Sequence, residues 1–138
     1  MGAWSHGAFD NDSAADWAGE LDDAEPGDRP GLVQEALLAA VEAEDYLDGD
    51  DGSIAIAAAA VVAAVTPGGP PLDHNYGPDA ATIEGLALGP ELVPLALAAL
   101  HRVFGEDSEW RELWEESGQL EEARGALAPV LEALERLR

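Results

Sequence analysis

The chain has 138 residues, 47% of them hydrophobic, and its 29 acidic side chains face only six basic ones, giving a formal charge of −23 at pH 7. It has no cysteine, which excludes disulfides and cysteine-ligated zinc. Nucleic acid and anionic lipid both require Lys or Arg opposite their phosphates, so neither is expected as a partner, whereas a basic protein is electrostatically allowed.

A chain of this length is expected to form one domain over residues 1–138, and its abundant alanine favours closely packed helices. The first fifteen residues hold no Lys or Arg, and Asp10 and Asp12 interrupt any apolar core of a signal peptide. The longest apolar run, Ile54–Val65, spans twelve residues, short of the roughly 20 that cross a bilayer. A cytoplasmic protein with no membrane association is the expectation.

The opening, MGAWSHGAFDNDSAADW, sets Trp4 and Phe9 in what would otherwise be a frayed terminus. Burying aromatics of this size is worth roughly 1.5–3 kcal/mol each, which predicts an N-terminal loop folded back on the domain. Asp10, Asp12 and Ser13 are candidate caps for the first helix, where Ala14, Trp17, Ala18 and Leu21 recur at helical spacing. AEPGDRPG is a linker, with Pro30 near the start of a second helix. Val33, Ala36, Leu37, Ala40, Val41 and Leu47 form that helix's apolar face, which stops at LDGDDGS.

Ser53 is placed to cap the Ile54–Val65 helix, which is apolar all round and so predicted to be the most enclosed element. Pro67 ends it, and Pro and Gly interrupt every strand candidate in TPGGPPLDHNYGPD. A short helix over about 79–88 precedes one from about Glu91 to Phe104, with Pro94 tolerated in its first turn. After Gly105, Ser108 is a capping candidate, although the residue three positions on is Arg111 rather than an acid. Trp110, Leu113 and Trp114 follow at i, i+3 and i+4 and are read as one face. Beyond Gly118, Leu120, Ala123, Leu127, Leu131, Leu134 and Leu137 describe a single last helix. The predicted class is all-α: a single compact, bundle-like domain of five or six helices with an ordered N-terminal loop.

Candidate chemistry is sparse. LDGDDGS fails the calcium-loop register: counting from Asp48 puts Gly52, Ser53 and Ala59 at positions five, six and twelve, and counting from Asp45 puts Leu47 at position three. Asp10, Asn11, Asp12 and Asp16 form a second acidic group that could bind a hard cation or serve as turn and cap residues. His6, His74 and His101 fit no ligand spacing, although His74, with Asp73 and Tyr76 close by, could belong to a pocket. Walker, Rossmann, serine-elbow and HExxH signatures are absent. No catalytic, metal-binding or cofactor-binding residue is assigned, and no cofactor is expected. Two classes remain. One is a non-enzymatic interaction or regulatory domain with a basic protein partner, in which Trp110 and Trp114 either anchor that partner or close the core. The alternative is a small enzyme, a metal-assisted hydrolase using the Asp10/Asp12/Asp16 carboxylates, or one with its chemistry around Asp73, His74 and Tyr76.

The opening motif, Met-Gly-x-Trp followed by Phe9-Asp10-Asn11-Asp12 and Ala15-Asp16-Trp17, resembles that of a bacterial family of small proteins catalogued as a domain of unknown function. RVFGEDSEWRELWEESG resembles the same family's later segment, Leu/Phe-Gly-x-x-Ser-Glu-x-x-x-Leu-Trp. Ser5 stands where a glycine is common, and Gln119–Leu120 replace an aromatic near the last helix. The resemblance implies no activity or catalytic residue. It implies that Trp4, Phe9, Asp10, Asn11, Asp12, Trp17, Ser108, Leu113 and Trp114 form one architectural unit.

Overall fold

The computed structural model describes residues 7–72 and 77–137. Among these the elements are helical and no strand forms, extended pairing being confined to isolated bridges such as that between Leu47 and Ser108. Eight α-helices follow one another: α1 (Asp12–Asp23), α2 (Arg29–Val41), α3 (Gly49–Val65), α4 (Ala80–Glu84), α5 (Leu92–Phe104), α6 (Glu109–Ser117), α7 (Leu120–Ala126) and α8 (Ala128–Leu137). The all-helical class agrees with the expectation, but the expected five or six helices are too few.

One cause lies near the chain's end, where leucine spacing runs unbroken from Leu120 to Leu137. Pro129 has no amide proton, and its ring would collide with the Gly125 carbonyl in a continuous helix. The chain therefore closes α7 with a tight turn, Leu127 N–H donating to the Arg124 carbonyl, and restarts as α8. Gly118, at φ 76°, makes a similar break after α6. The Gln119 and Gly118 amides donate to the Trp114 and Glu115 carbonyls, the paired bonds of a Schellman ending that favours glycine in the left-handed region.

Three other boundaries differ from expectation. Helix α1 is capped by Asn11, not by Asp10, Asp12 or Ser13, its Oδ1 accepting from Ala14 N–H at 2.8 Å. Helix α2 ends at Val41, leaving Leu47 in a connecting segment. Helix α3 begins at Gly49, five residues before Ile54, because Asp48 rather than Ser53 caps it, accepting from Asp51 N–H at 2.9 Å.

Helix α3 packs against α1, α2, α4, α5, α6 and α8. Ala55, Ala57, Ala58, Ala59 and Ala63 have no exposed surface at all, and their single methyl groups let neighbouring helices approach closely on every side. The larger side chains come from those neighbours: Leu21 of α1, Val33 and Leu37 of α2, Leu100 and Val103 of α5, and Leu134 of α8. No helix among the described residues is long and apolar enough to cross a membrane.

Arginine ties the helix ends together. Arg29 donates from Nε and Nη2 to the Leu21 and Asp22 carbonyls at 2.9 and 2.8 Å, closing the C-terminus of α1. Arg102 reaches the Ala43 and Glu106 carbonyls, Arg111 the Phe104 carbonyl, and Arg136 the Gly68 carbonyl. Most of these carbonyls lie at or just beyond a helix C-terminus, where the backbone is electron-rich and favours a cation.

Candidate functional site

The N-terminus of α3 is where α1, the segment after α2 and the start of α6 meet. The segment leaving α2 runs alongside the α5–α6 turn: Leu47 N–H donates to the Asp107 carbonyl and Glu109 N–H to the Leu47 carbonyl, both at 2.9 Å. Asp107 holds φ 57°, a left-handed conformation that aspartate tolerates better than most side chains. Leu47 is thereby buried, and so is Ser108, whose Oγ caps α6 by accepting from Arg111 N–H. From α6, Glu109 reaches back, its carboxylate accepting from Gly49 N–H at 2.7 Å and so satisfying a free amide at the start of α3. From α1, Ser13 donates its hydroxyl to Asp50 at 2.7 Å.

Tyr46 lies on the outer side of this junction and donates its hydroxyl to Glu112 at 2.7 Å. That bond to a carboxylate, with partial desolvation and the charges of Glu112, Glu109 and Glu116, pushes the phenol up to about 12, so it remains a donor. The Asp51 carboxyl is also pushed up from 3.8, first by desolvation and then by Asp48 and Asp50.

Behind this surface the aromatics are stacked. The Phe104 and Trp110 rings lie 5.4 Å apart, and Trp110 meets Trp114 edge-on at 6.5 Å. The Arg124 guanidinium sits 5.2 Å from the Phe104 ring centroid, a cation–π distance. Trp110 is buried and Trp114 half-buried, but Leu113 is 54% exposed, so the three do not share one buried face. A side chain three positions after Trp110 is rotated about 60° from it, enough on so short a helix to carry Leu113 over the edge of the core. Beside α6 a cleft of about 450 Å³ runs between the Gly105–Ser108 turn and Arg111, Glu112 and Glu115. It lacks the apolar lining typical of small-molecule sites.

The N-terminal candidates separate into structural positions. Phe9 and Trp17 are buried. Asp10 accepts from Gly7 N–H at 3.1 Å, Asn11 caps α1, and Asp12 and Asp16 are exposed. The described residues contain no group of three or more His, Cys, Asp or Glu able to hold a metal ion, so the Asp10/Asp12/Asp16 set does not converge. Trp4 and His74, together with His6, Asp73 and Tyr76, lie outside the described residues, while His101 is exposed at the last turn of α5.

A family model described as "Domain of unknown function (DUF4259)" matches residues 2–126. The chain belongs to this family. No curated protein and no solved structure matches it. The matched span takes in both sides of the junction, from the α1 cap at Asn11 to the Ser108–Trp114 segment, and ends with α7.

Sequence reasoning missed Tyr46 and the outward position of Leu113. Tyr46 had a signal: it is an aromatic in EAEDYLDGDDG, a run otherwise suited to full solvation. Leu113 had none, because its helical spacing fits an inner and an edge position equally well.

Proposed function

We propose that this chain is a non-enzymatic interaction domain whose acidic surface receives a basic protein partner. The observation that carries this reading is where the cations go. Arg29, Arg102, Arg111 and Arg136 are spent on the fold's own carbonyl oxygens and Arg124 on a ring. Among the described residues a single arginine–carboxylate ion pair forms, Arg111 with Glu115 at 3.5 Å. With 29 acidic side chains against six basic ones, the outward field is that of the carboxylates. Such a surface steers a positively charged protein toward it and repels phosphate.

Affinity capture by the purified chain at low and high salt, followed by crosslinking, tests the reading. The expected result is recovery of a specific basic protein, declining as salt screens charges beyond about 8 Å at 0.15 M, with no nucleic acid in the complex. A stoichiometric nucleic-acid complex, or the absence of any partner at either salt, would overturn it.

A further inference from the structure

Two of the large apolar side chains left exposed, Tyr46 at 48% and Leu113 at 54%, lie on one surface. Tyr46 touches Glu112, the residue next to Leu113. Glu109, Glu112, Leu113 and Glu116 fall at i, i+3, i+4 and i+7 of α6 and so form one stripe. Tyr46 lies within electrostatic reach of all three of those glutamates. Helix α6 buries the neighbouring side, through Trp110, against the core, and no element of the described fold covers Leu113.

We propose that this outer face of α6, with Tyr46 beside it, is the docking site for a basic amphipathic segment of the protein partner inferred above, a proposal that rests on that reading. Charge complementarity selects the occupant. Glu112 and Glu116 would face arginines or lysines while Glu109, its carboxylate held by the Gly49 amide, adds its charge from beside them. The Tyr46 ring offers a cation a π-face, and Leu113 offers an apolar side chain a contact that no bare counterion could use. A polycation without apolar groups satisfies only half of this surface. A second copy of the chain brings its own excess of carboxylates and is repelled. The face is also held in place before binding: Ser108 caps the helix, Leu47 pins Tyr46's segment to the α5–α6 turn, and Trp110 locks the inner side between Phe104 and Trp114. Affinity on such a face loses little to ordering.

The test uses two synthetic peptides of about four helical turns. One carries arginines along one side and leucines beside them, and the other has every leucine replaced by serine. Binding to the whole chain is measured by fluorescence anisotropy at about 0.15 M salt, and amide NMR shifts locate it. The leucine peptide is expected to bind about tenfold tighter than the serine peptide. Leu113→Ser should remove that advantage and leave the serine peptide's affinity unchanged, while Tyr46→Ser weakens both peptides. Both side chains are exposed, and an unchanged melting temperature shows that each variant is folded. Equal binding of the two peptides, indifference to Leu113→Ser, or shifts centred on another face would overturn the docking site while leaving the basic-partner reading in place. Self-association of the chain that is lost in Leu113→Ser would instead make this a contact between copies and also overturn the proposal. The basic-partner reading fails separately, when the wild-type chain captures no partner.

Discussion

Leu47→Ala tests whether the junction holds the exposed face of α6 in position. Leu47 is 1% exposed, and the substitution removes three carbons, worth about 2.4 kcal/mol of lost burial. The void left behind adds about 24 cal/mol per Å³, so a residual cavity of roughly 50 Å³ contributes about 1 kcal/mol more. The surroundings cannot collapse easily, because the space around Leu47 is shared with Gly52 on α3, Trp110 on α6 and Val103 on α5, all on packed helices. The expected loss is therefore about 3–4 kcal/mol, inside the measured range for leucine-to-alanine cavities.

Gly52 supplies the internal control for this experiment. A methyl added there would lie 3.7 Å from a Leu47 methyl, 3.5 Å from Trp110 Cβ and 3.7 Å from Val103 Cγ1, all ordinary contacts. Gly52→Ala alone should stabilise by about 0.4–1 kcal/mol, since it restricts the unfolded chain without strain in the folded one. Combined with Leu47→Ala, it should recover at least about 0.5 kcal/mol more than the sum of the single changes, because its methyl partly fills the new void. Urea unfolding followed by tryptophan fluorescence, with CD as a second probe, measures all four corners of the cycle. A loss below about 1.5 kcal/mol for Leu47→Ala, or strict additivity of the two changes, would refute the claim that this contact is tightly packed.

Further expectations concern charge. In a Tyr76→Phe background, ultraviolet titration should place Tyr46 at about 12, and Glu112→Gln should bring it back toward 10; titration at 10 in both chains would mean that the bond to Glu112 does not persist in solution. Because the Asp51 carboxyl is raised above 3.8 in the folded chain, its ionisation opposes folding as pH rises through the folded value. Asp51→Asn should therefore melt higher than wild type at pH 7, with the difference closing as pH falls below 3.8, and an equal melting temperature at neutral pH would contradict this. Arg29→Gln should cost about 1–3 kcal/mol by leaving the Leu21 and Asp22 carbonyls short of a charged donor. Arg29→Lys should recover only part of that loss, since one ammonium cannot reproduce the guanidinium fork; full recovery in a thermal melt would rule the fork out.

The sequence alone determined the helical class, the enclosure of the Ile54–Val65 segment and the absence of a recognisable reactive motif. These rest on local properties that survive any arrangement of neighbours: an apolar run without polar relief must be surrounded, and Pro and Gly in every strand candidate prevent pairing. Local competition was harder to judge. Ser53, Asp48 and their counterparts before α1 all carry suitable capping oxygens, and the choice falls to the residue whose oxygen meets a free amide once the helix is docked. Leucine spacing likewise concealed the interruption at Pro129, which the backbone alone imposes. Tertiary structure decided the rest. Leu47 could be buried outside α2 only because the α5–α6 turn supplied partners for its backbone. Arg102 and Arg136 could bond to backbone carbonyls only because the fold brings Ala43 and Gly68, 59 and 68 positions away, within their reach. Tyr46 and Leu113 are 67 positions apart in the chain, and no spacing rule joins them. They share a surface because Leu47, hydrogen-bonded to both Asp107 and Glu109, brings the segment after α2 against the start of α6.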